Sequence, residues 1–212
     1  MEEIRPLPAW KAPDTGALFV VSGASGTGKT TLLQRALQRV PGLEFSVSAT
    51  TRGPRAGELD GREYHFVTRE RFLELRASGD LLESAEVYGR FYGTPRAPVE
   101  AALREGRSIV LDIDVQGAAQ VRASMPGVVT VFILPPDMAT VRRRLEARGT
   151  DSAEVVARRM QDAQAQIDRC GEYDYLVLND VLETADAQLQ GIFVAELSRR
   201  SRRGSWGARA TA

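Results

Sequence analysis

The chain has almost no lysine: of its 28 basic residues only Lys11 and Lys29 are not arginine. It is just as poor in the usual metal and redox side chains. A single cysteine, Cys170, excludes an intramolecular disulfide, and a single histidine, His65, leaves no plausible zinc site. Net charge is absent too, with 28 acidic against 28 basic residues, so nothing global draws the chain to nucleic acid or an anionic membrane. No apolar run is long enough to span a bilayer. Residues Met1–Gly16 are polar, carry Pro6, Pro8 and Pro13, and lack a signal peptide's apolar core. These absences lead us to expect a soluble, cytoplasmic protein. Its 212 residues suit one compact domain with small insertions, and neither internal repeats nor low-complexity tracts interrupt it.

One of the two lysines stands in Gly23-Ala24-Ser25-Gly26-Thr27-Gly28-Lys29-Thr30, which fits the phosphate-loop pattern G-x-x-x-x-G-K-[ST]. Small residues let backbone N–H groups close around phosphate oxygens, Lys29 supplies a compact ammonium for the terminal phosphates, and the Thr30 hydroxyl is placed to ligate Mg²⁺. The context fits. Ala17–Val21 reads as a buried strand; Leu32, Leu33, Ala36, Leu37 and Val40 recur at helical spacing; Pro41-Gly42 stops the helix. Phosphates would then sit at a helix N-terminus.

Further apolar runs at 109–111, 128–134 and 175–178 read as buried strands, and helical patterns cover 98–105, 137–148, 151–169 and 185–199. Asp137 is expected as an N-cap, Gly149 as a stop, and Asp151 with Glu154 as a capping-box-like start. Alternating strands and helices predict a parallel sheet covered on both faces. Residues 50–94 differ, with short alternating segments punctuated by Gly57, Gly61, Gly79, Gly89 and Gly93, and read as a small mixed insertion. The tail holds Arg199, Arg200, Arg202, Arg203 and Arg209 among Ser and Gly; a solvated, frayed end is the simpler reading, and contact with RNA the other.

The insertion opens on Arg52-Gly53-Pro54-Arg55, two guanidinium forks suited to a second phosphate, although two exposed arginines beside a turn would spell the same letters. Tyr64 and Tyr92 can offer hydroxyls to that phosphate, while Glu83 and Thr94 suit a base edge. A carboxylate accepts well from two parallel N–H donors, and among purines guanine alone presents N1–H beside a 2-amino group. His65 reads as a sheet residue, since phosphoryl transfer needs no histidine.

Taken together the motifs resemble the guanylate kinases, from about residue 17 to about 197. The likeness joins the phosphate loop to Phe45–Arg52, Arg55, Gly57-Glu58, Tyr64 and Phe66, Tyr92–Pro95, Leu111–Gly117, Arg144–Thr150 and Asn179-Asp180. Ala24 stands where the family commonly has proline, and Thr30 where it has serine. The resemblance implies a P-loop NTPase α/β core, its parallel sheet flanked by helices, with a small mixed α/β GMP-binding insertion and a helical lid. The core would comprise 17–49, 95–136 and 160–198, the insertion 50–94 and the lid 137–159, between a flexible extension at 1–16 and a basic tail at 199–212. It further implies transfer of a phosphoryl group from ATP to GMP with Mg²⁺. Gly23 to Thr30 and Asn179 would hold ATP, with Thr30 on the metal and Asp112 orienting its waters. Ser48, Arg52, Arg55, Tyr64, Glu83, Tyr92, Thr94 and Asp114 would bind GMP: Arg52, Arg55, Tyr64 and Tyr92 its phosphate, the rest its base. Lys29, Arg52, Arg144, Arg148 and Arg159 would act on the transferred group. A kinase for another small substrate on the same scaffold would not need Glu83 and Thr94. A non-catalytic, peptide-binding relative would have lost phosphate-loop residues. The sequence leaves oligomeric state open.

Overall fold

The structure is a computed structural model, and it describes residues 13–87, 89–147 and 153–203. Strand β1 (Leu18–Ser22) is buried throughout and leads through the phosphate loop into helix α1 (Lys29–Arg39). Then come β2 (Leu43–Phe45), β3 (Ala49–Thr50), β4 (His65–Phe66), α2 (Arg69–Ala77), β5 (Leu81–Val87) and β6 (Arg90–Pro95). The chain continues through α3 (Arg96–Arg104), β7 (Ser108–Asp112), α4 (Val115–Ser124), β8 (Val129–Leu134), α5 (Met138–Glu146), α6 (Ala153–Ile167), β9 (Tyr175–Leu178) and α7 (Leu182–Leu197).

Five strands form one sheet in the order β2-β7-β1-β8-β9, every pairing parallel. Strand alternation splits β1 between two cores. Phe19 and Val21 face α1 and α7, where Phe19 meets Phe193 edge-on at 4.6 Å between ring centroids. Leu18 and Val20 face α3 and α4, against Val99, Ala102, Ala118 and Val121. A sheet buried on both faces explains why β1 and β8 read as nearly continuous apolar runs, with Ser22 and Thr130 the exceptions. Removing a ring such as that of Phe19 would cost about 3–5 kcal/mol. Residues 49–95 contribute a second sheet, β4-β3-β6-β5, with β3 antiparallel to β6 and β6 to β5.

Two helices go beyond the sequence expectation. Helix α4 buries Val115, Gly117, Ala118 and Val121, side chains too small to give a strong apolar period. Helix α2 has only Phe72 fully buried and is announced mainly by its N-cap, Thr68, which accepts from Arg71 N. Asp137 caps α5 as expected, accepting from Thr140 N at 2.5 Å. The anticipated stop at Gly149 and start at Asp151 lie outside the described residues. Helix α7 begins at Leu182, three residues before the apolar pattern suggested.

Residues 14–16 and Arg199, Arg202 and Arg203 are more tightly held than the sequence implied. Asp14 N donates to Arg202 O at 2.8 Å, and Arg202 Nη1 donates to Gly16 O at 2.9 Å. Arg203 is buried, its Nε on Leu197 O, and Arg199 pairs with the buried Glu196. The frayed-tail reading therefore fails at Arg199, Arg202 and Arg203, whose guanidiniums satisfy carbonyls and a carboxylate of the folded body, while Arg200 and Ser201 are exposed. Arg209 lies outside the described residues.

Candidate active site

The carboxyl ends of the parallel strands converge on the phosphate loop, the place where open α/β sheets hold ligands. The loop is braced from several sides. Thr27 is fully buried and bonds back to Ala24 O through its hydroxyl at 2.9 Å. Asn179, just past β9 and 4% exposed, donates its amide to Thr27 O at 2.6 Å. Gly28 sits at φ +87°, and a Cβ there would lie 2.3 Å from Asn179 Nδ2. Only glycine meets both demands. Arg144 of α5 donates to Gly26 O at 3.0 Å, and Ala24 packs against Val141, Leu145 and Val156 of α5 and α6.

The hollow of about 420 Å³ at this loop is lined by Gly23, Ala24, Ser25, Gly26, Gly28, Lys29, Thr30, Thr31 and Asp112. Lys29 Nζ is ion-paired to Asp112 at the end of β7. Thr27 and Asn179, expected among the ATP residues, stand behind the loop and shape it.

A second cavity of about 370 Å³ gathers Ser48, Arg52, Arg55, Tyr64, Glu83, Tyr92 and Asp114, with Asp112 and Ile113 in its wall. Nearly every residue anticipated for the second nucleotide is therefore in one place, drawn from five segments of chain. Arg52 is held as a fork: its Nη1 and Nη2 each donate to one oxygen of Glu58 at 2.9 Å, while its guanidinium lies 5.3 Å from the Tyr64 ring centroid. Arg55 N donates to the same Glu58 carboxylate at 2.7 Å. Arg52 and the Arg55 amide hold the Glu58 carboxyl below its ordinary range. Burial raises the Tyr64 phenol, and the Tyr64 and Tyr92 rings meet edge-on at 6.0 Å. The sequence motif contained Glu58 but suggested no task for it; a carboxylate gripped by the fork marks where an anion of similar width fits.

At the other end of the cavity, Glu83 is 5% exposed, and burial pushes its carboxyl up to about 7 against the opposing pull of hydrogen bonds from Thr94. The Thr94 hydroxyl donates to Glu83 Oε1 at 2.8 Å. Thr94 is fully buried, and in this arrangement its hydroxyl proton rests on Glu83. Asp114 does line the wall, with Oδ1 spent on capping α4 through Gln116 N and Gly117 N. Glu83 Oε2 points at α4, where a Cβ on Gly117 would be 2.7 Å away.

The anticipated lid arginines have different fates. Arg144 reaches the phosphate loop, Arg159 is half-buried on α6, and Arg148 lies outside the described residues. Among the described residues no cluster of three or more His, Cys, Asp or Glu could cage a metal. The oxygen donors at the loop, Thr30 and Asp112, are hard ligands that fit Mg²⁺ if phosphates and water complete its shell.

Comparison with known proteins agrees with this geometry. The guanylate kinase family model matches residues 15–196. A guanylate kinase of Alkalilimnicola ehrlichii is 50% identical over 187 residues, covering 88% of this chain and 92% of its own. One from Anaeromyxobacter dehalogenans is 52% identical over 193 residues, covering 90% and 84% respectively. Among solved structures, guanylate kinase from Anaplasma phagocytophilum superposes with a TM-score of 0.73 at 35% identity, covering 91% of this chain and 92% of that one.

Proposed function

The chain belongs to the guanylate kinase family and is an ATP:GMP phosphotransferase, and we propose that the two cavities are its two nucleotide sites. The observation that carries this assignment is Asp112, which lines both: the hollow at the phosphate loop and the cavity beneath the Arg52 fork. ATP would place its β- and γ-phosphates on the loop amides and Lys29. GMP would place its phosphate against Arg52, Arg55, Tyr64 and Tyr92, and its guanine against Glu83, Ser48 and Asp114. Thr94 acts from behind, orienting Glu83.

Phosphoryl transfer leaves the protein little covalent work. The acceptor is already a phosphate anion, so no side chain need serve as a strong base. What the residues do is hold two anions in line, offset the charge on the migrating group, and exclude water. Thr30 and Asp112 would hold Mg²⁺, which would supply charge neutralisation for the transferred group. Lys29, paired with Asp112 here, would turn to the terminal phosphates of a bound nucleotide. In GMP binding, Arg52 exchanges a carboxylate partner, Glu58, for a phosphate of matching bidentate geometry. Arg144 and Arg159 extend the cationic wall from α5 and α6, residues 137–159 serving as the lid and 50–94 as the GMP-binding unit. Placing arginines on both makes a complete site conditional on both substrates, which limits idle hydrolysis of ATP.

No helix among the described residues is long and apolar enough to cross a membrane, consistent with a cytoplasmic enzyme. The test is transfer of label from γ-labelled ATP. Labelled GDP should form only with GMP and Mg²⁺ together and be abolished by chelation. Label released as inorganic phosphate at the same rate without GMP would refute the two-site reading.

A further inference from the structure

Glu83 occupies an irregular stretch of backbone. Between β5 and β6 the pairing runs from Leu81 opposite Pro95 to Ser84 opposite Gly93, so three steps on β5 match two on β6. The extra residue is a β-bulge spanning Leu82 and Glu83, a device that re-aims a side chain. A bulge on an outer strand is weakly specified by the sheet alone, and β5 is the outer strand of its sheet.

The missing specification comes from another element. Gln120 of α4 donates its Nε2 to Ser84 O at 3.0 Å, and Ser84 N donates to Gln120 Oε1 at 3.0 Å. One side-chain amide thus answers both backbone groups of the residue following Glu83, as a neighbouring strand would. The same helix supplies Gly117, whose lack of a side chain leaves room for Glu83 Oε2, and is capped by Asp114 in the cavity wall. Positions 114, 117 and 120 advance by three and lie along one face of the helix.

We propose that Gln120 is a positioning residue for acceptor selectivity: its amide fixes the bulged backbone so that the Glu83 carboxylate meets both N1–H and the 2-amino group of the acceptor. This rests on the assignment of Glu83 as the guanine reader. Two parallel hydrogen bonds to one carboxylate tolerate less displacement than one, so loosening the backbone weakens GMP more than IMP, which lacks the 2-amino donor.

The experiment compares kcat/KM for GMP and IMP in wild type, Gln120→Ala, Gln120→Met and Glu83→Ala, with melting temperatures for each. Gln120 is exposed, and alanine and methionine both favour helix, so α4 should persist in these variants. The GMP-to-IMP ratio should fall by about three- to tenfold in both Gln120 variants, the worth of one or two net hydrogen bonds. The fall should come through a higher KM for GMP, with the KM for ATP and kcat at saturating GMP nearly unchanged. A purely packing role predicts that Gln120→Met behaves as wild type, or that both acceptors lose by one factor; either result overturns the proposal. If Glu83→Ala collapses the ratio while the Gln120 variants keep it, positioning by Gln120 is wrong and the guanine assignment stands. If Glu83→Ala itself leaves the ratio intact, the guanine assignment is wrong and the proposal falls with it.

Discussion

Binding of GMP should depend on pH through Glu83. Its carboxyl is pushed from an ordinary value of 4.5 up to about 7, chiefly by burial, while guanine offers it two donors and so selects the ionised form. At pH 6 roughly one site in eleven is ionised, so GMP should bind about tenfold more weakly than at pH 8. The phosphate of GMP itself titrates near pH ~6 and adds to the slope. Titration calorimetry on wild type and Glu83→Gln removes that contribution, because both proteins meet the same ligand. Wild type should show the extra tenfold and release up to one additional proton per GMP below pH 7; the glutamine variant should bind weakly with only the phosphate's slope. Stability moves with the same group. Below pH 4.5 the carboxyl is neutral folded or unfolded and costs nothing. As pH rises through 4.5 to 7 the unfolded chain ionises first, and native stability falls by roughly 3 kcal/mol before levelling. Without GMP, Glu83→Gln should therefore become progressively more stable than wild type across that window. Identical pH slopes for GMP in the two proteins would refute the reasoning.

Lys29→Ala should lower kcat by ~10²–10³ with little change in melting temperature, and an amine-reactive ATP analogue should label Lys29 and be blocked by ATP. Asn179→Ala leaves the buried Thr27 carbonyl without its donor; chemical denaturation should register a loss of about 1–3 kcal/mol, and steady-state kinetics a raised KM for ATP. Gly117→Ala pushes a methyl within 2.7 Å of Glu83 Oε2, so the KM for GMP should rise while that for ATP stays; equal rises in both would show a general loosening instead.

The phosphate loop and the apolar strands were legible in the sequence because each is local: a spacing of small residues, or a run of side chains buried on both faces. The residues gathered in the second cavity were legible as residue types along a resemblance. What the sequence did not reveal is which of them touch the ligand and which act through another. Thr94 and Asn179 have the right chemistry for direct contact, and in this structure the Thr94 hydroxyl rests on Glu83 and the Asn179 Nδ2 on the phosphate loop. Glu58 and Gln120 were passed over, since their partners are an arginine six residues away and a backbone 36 residues away. Helix α4 escaped notice because its buried face is built from valine, glycine and alanine. A Gly and a Gln three apart after a strand-end Asp-x-Asp was the available signal. The packed start of the arginine tail was likewise invisible, because it depends on carbonyls at Gly16 and Leu197 that no local pattern announces.

The central claim is that the cavity beside Asp112 accepts a guanine nucleotide for phosphorylation by ATP. The most direct measurement is ADP formation from ATP and Mg²⁺ with GMP, AMP, CMP or UMP offered singly as acceptor. GMP should be used at rates typical of an efficient kinase, and AMP ~10⁴-fold less well, because its N1 lone pair would face the Glu83 carboxylate and its amino group would replace an acceptor. Equal turnover of AMP, CMP or UMP, or no turnover of GMP, would contradict the account.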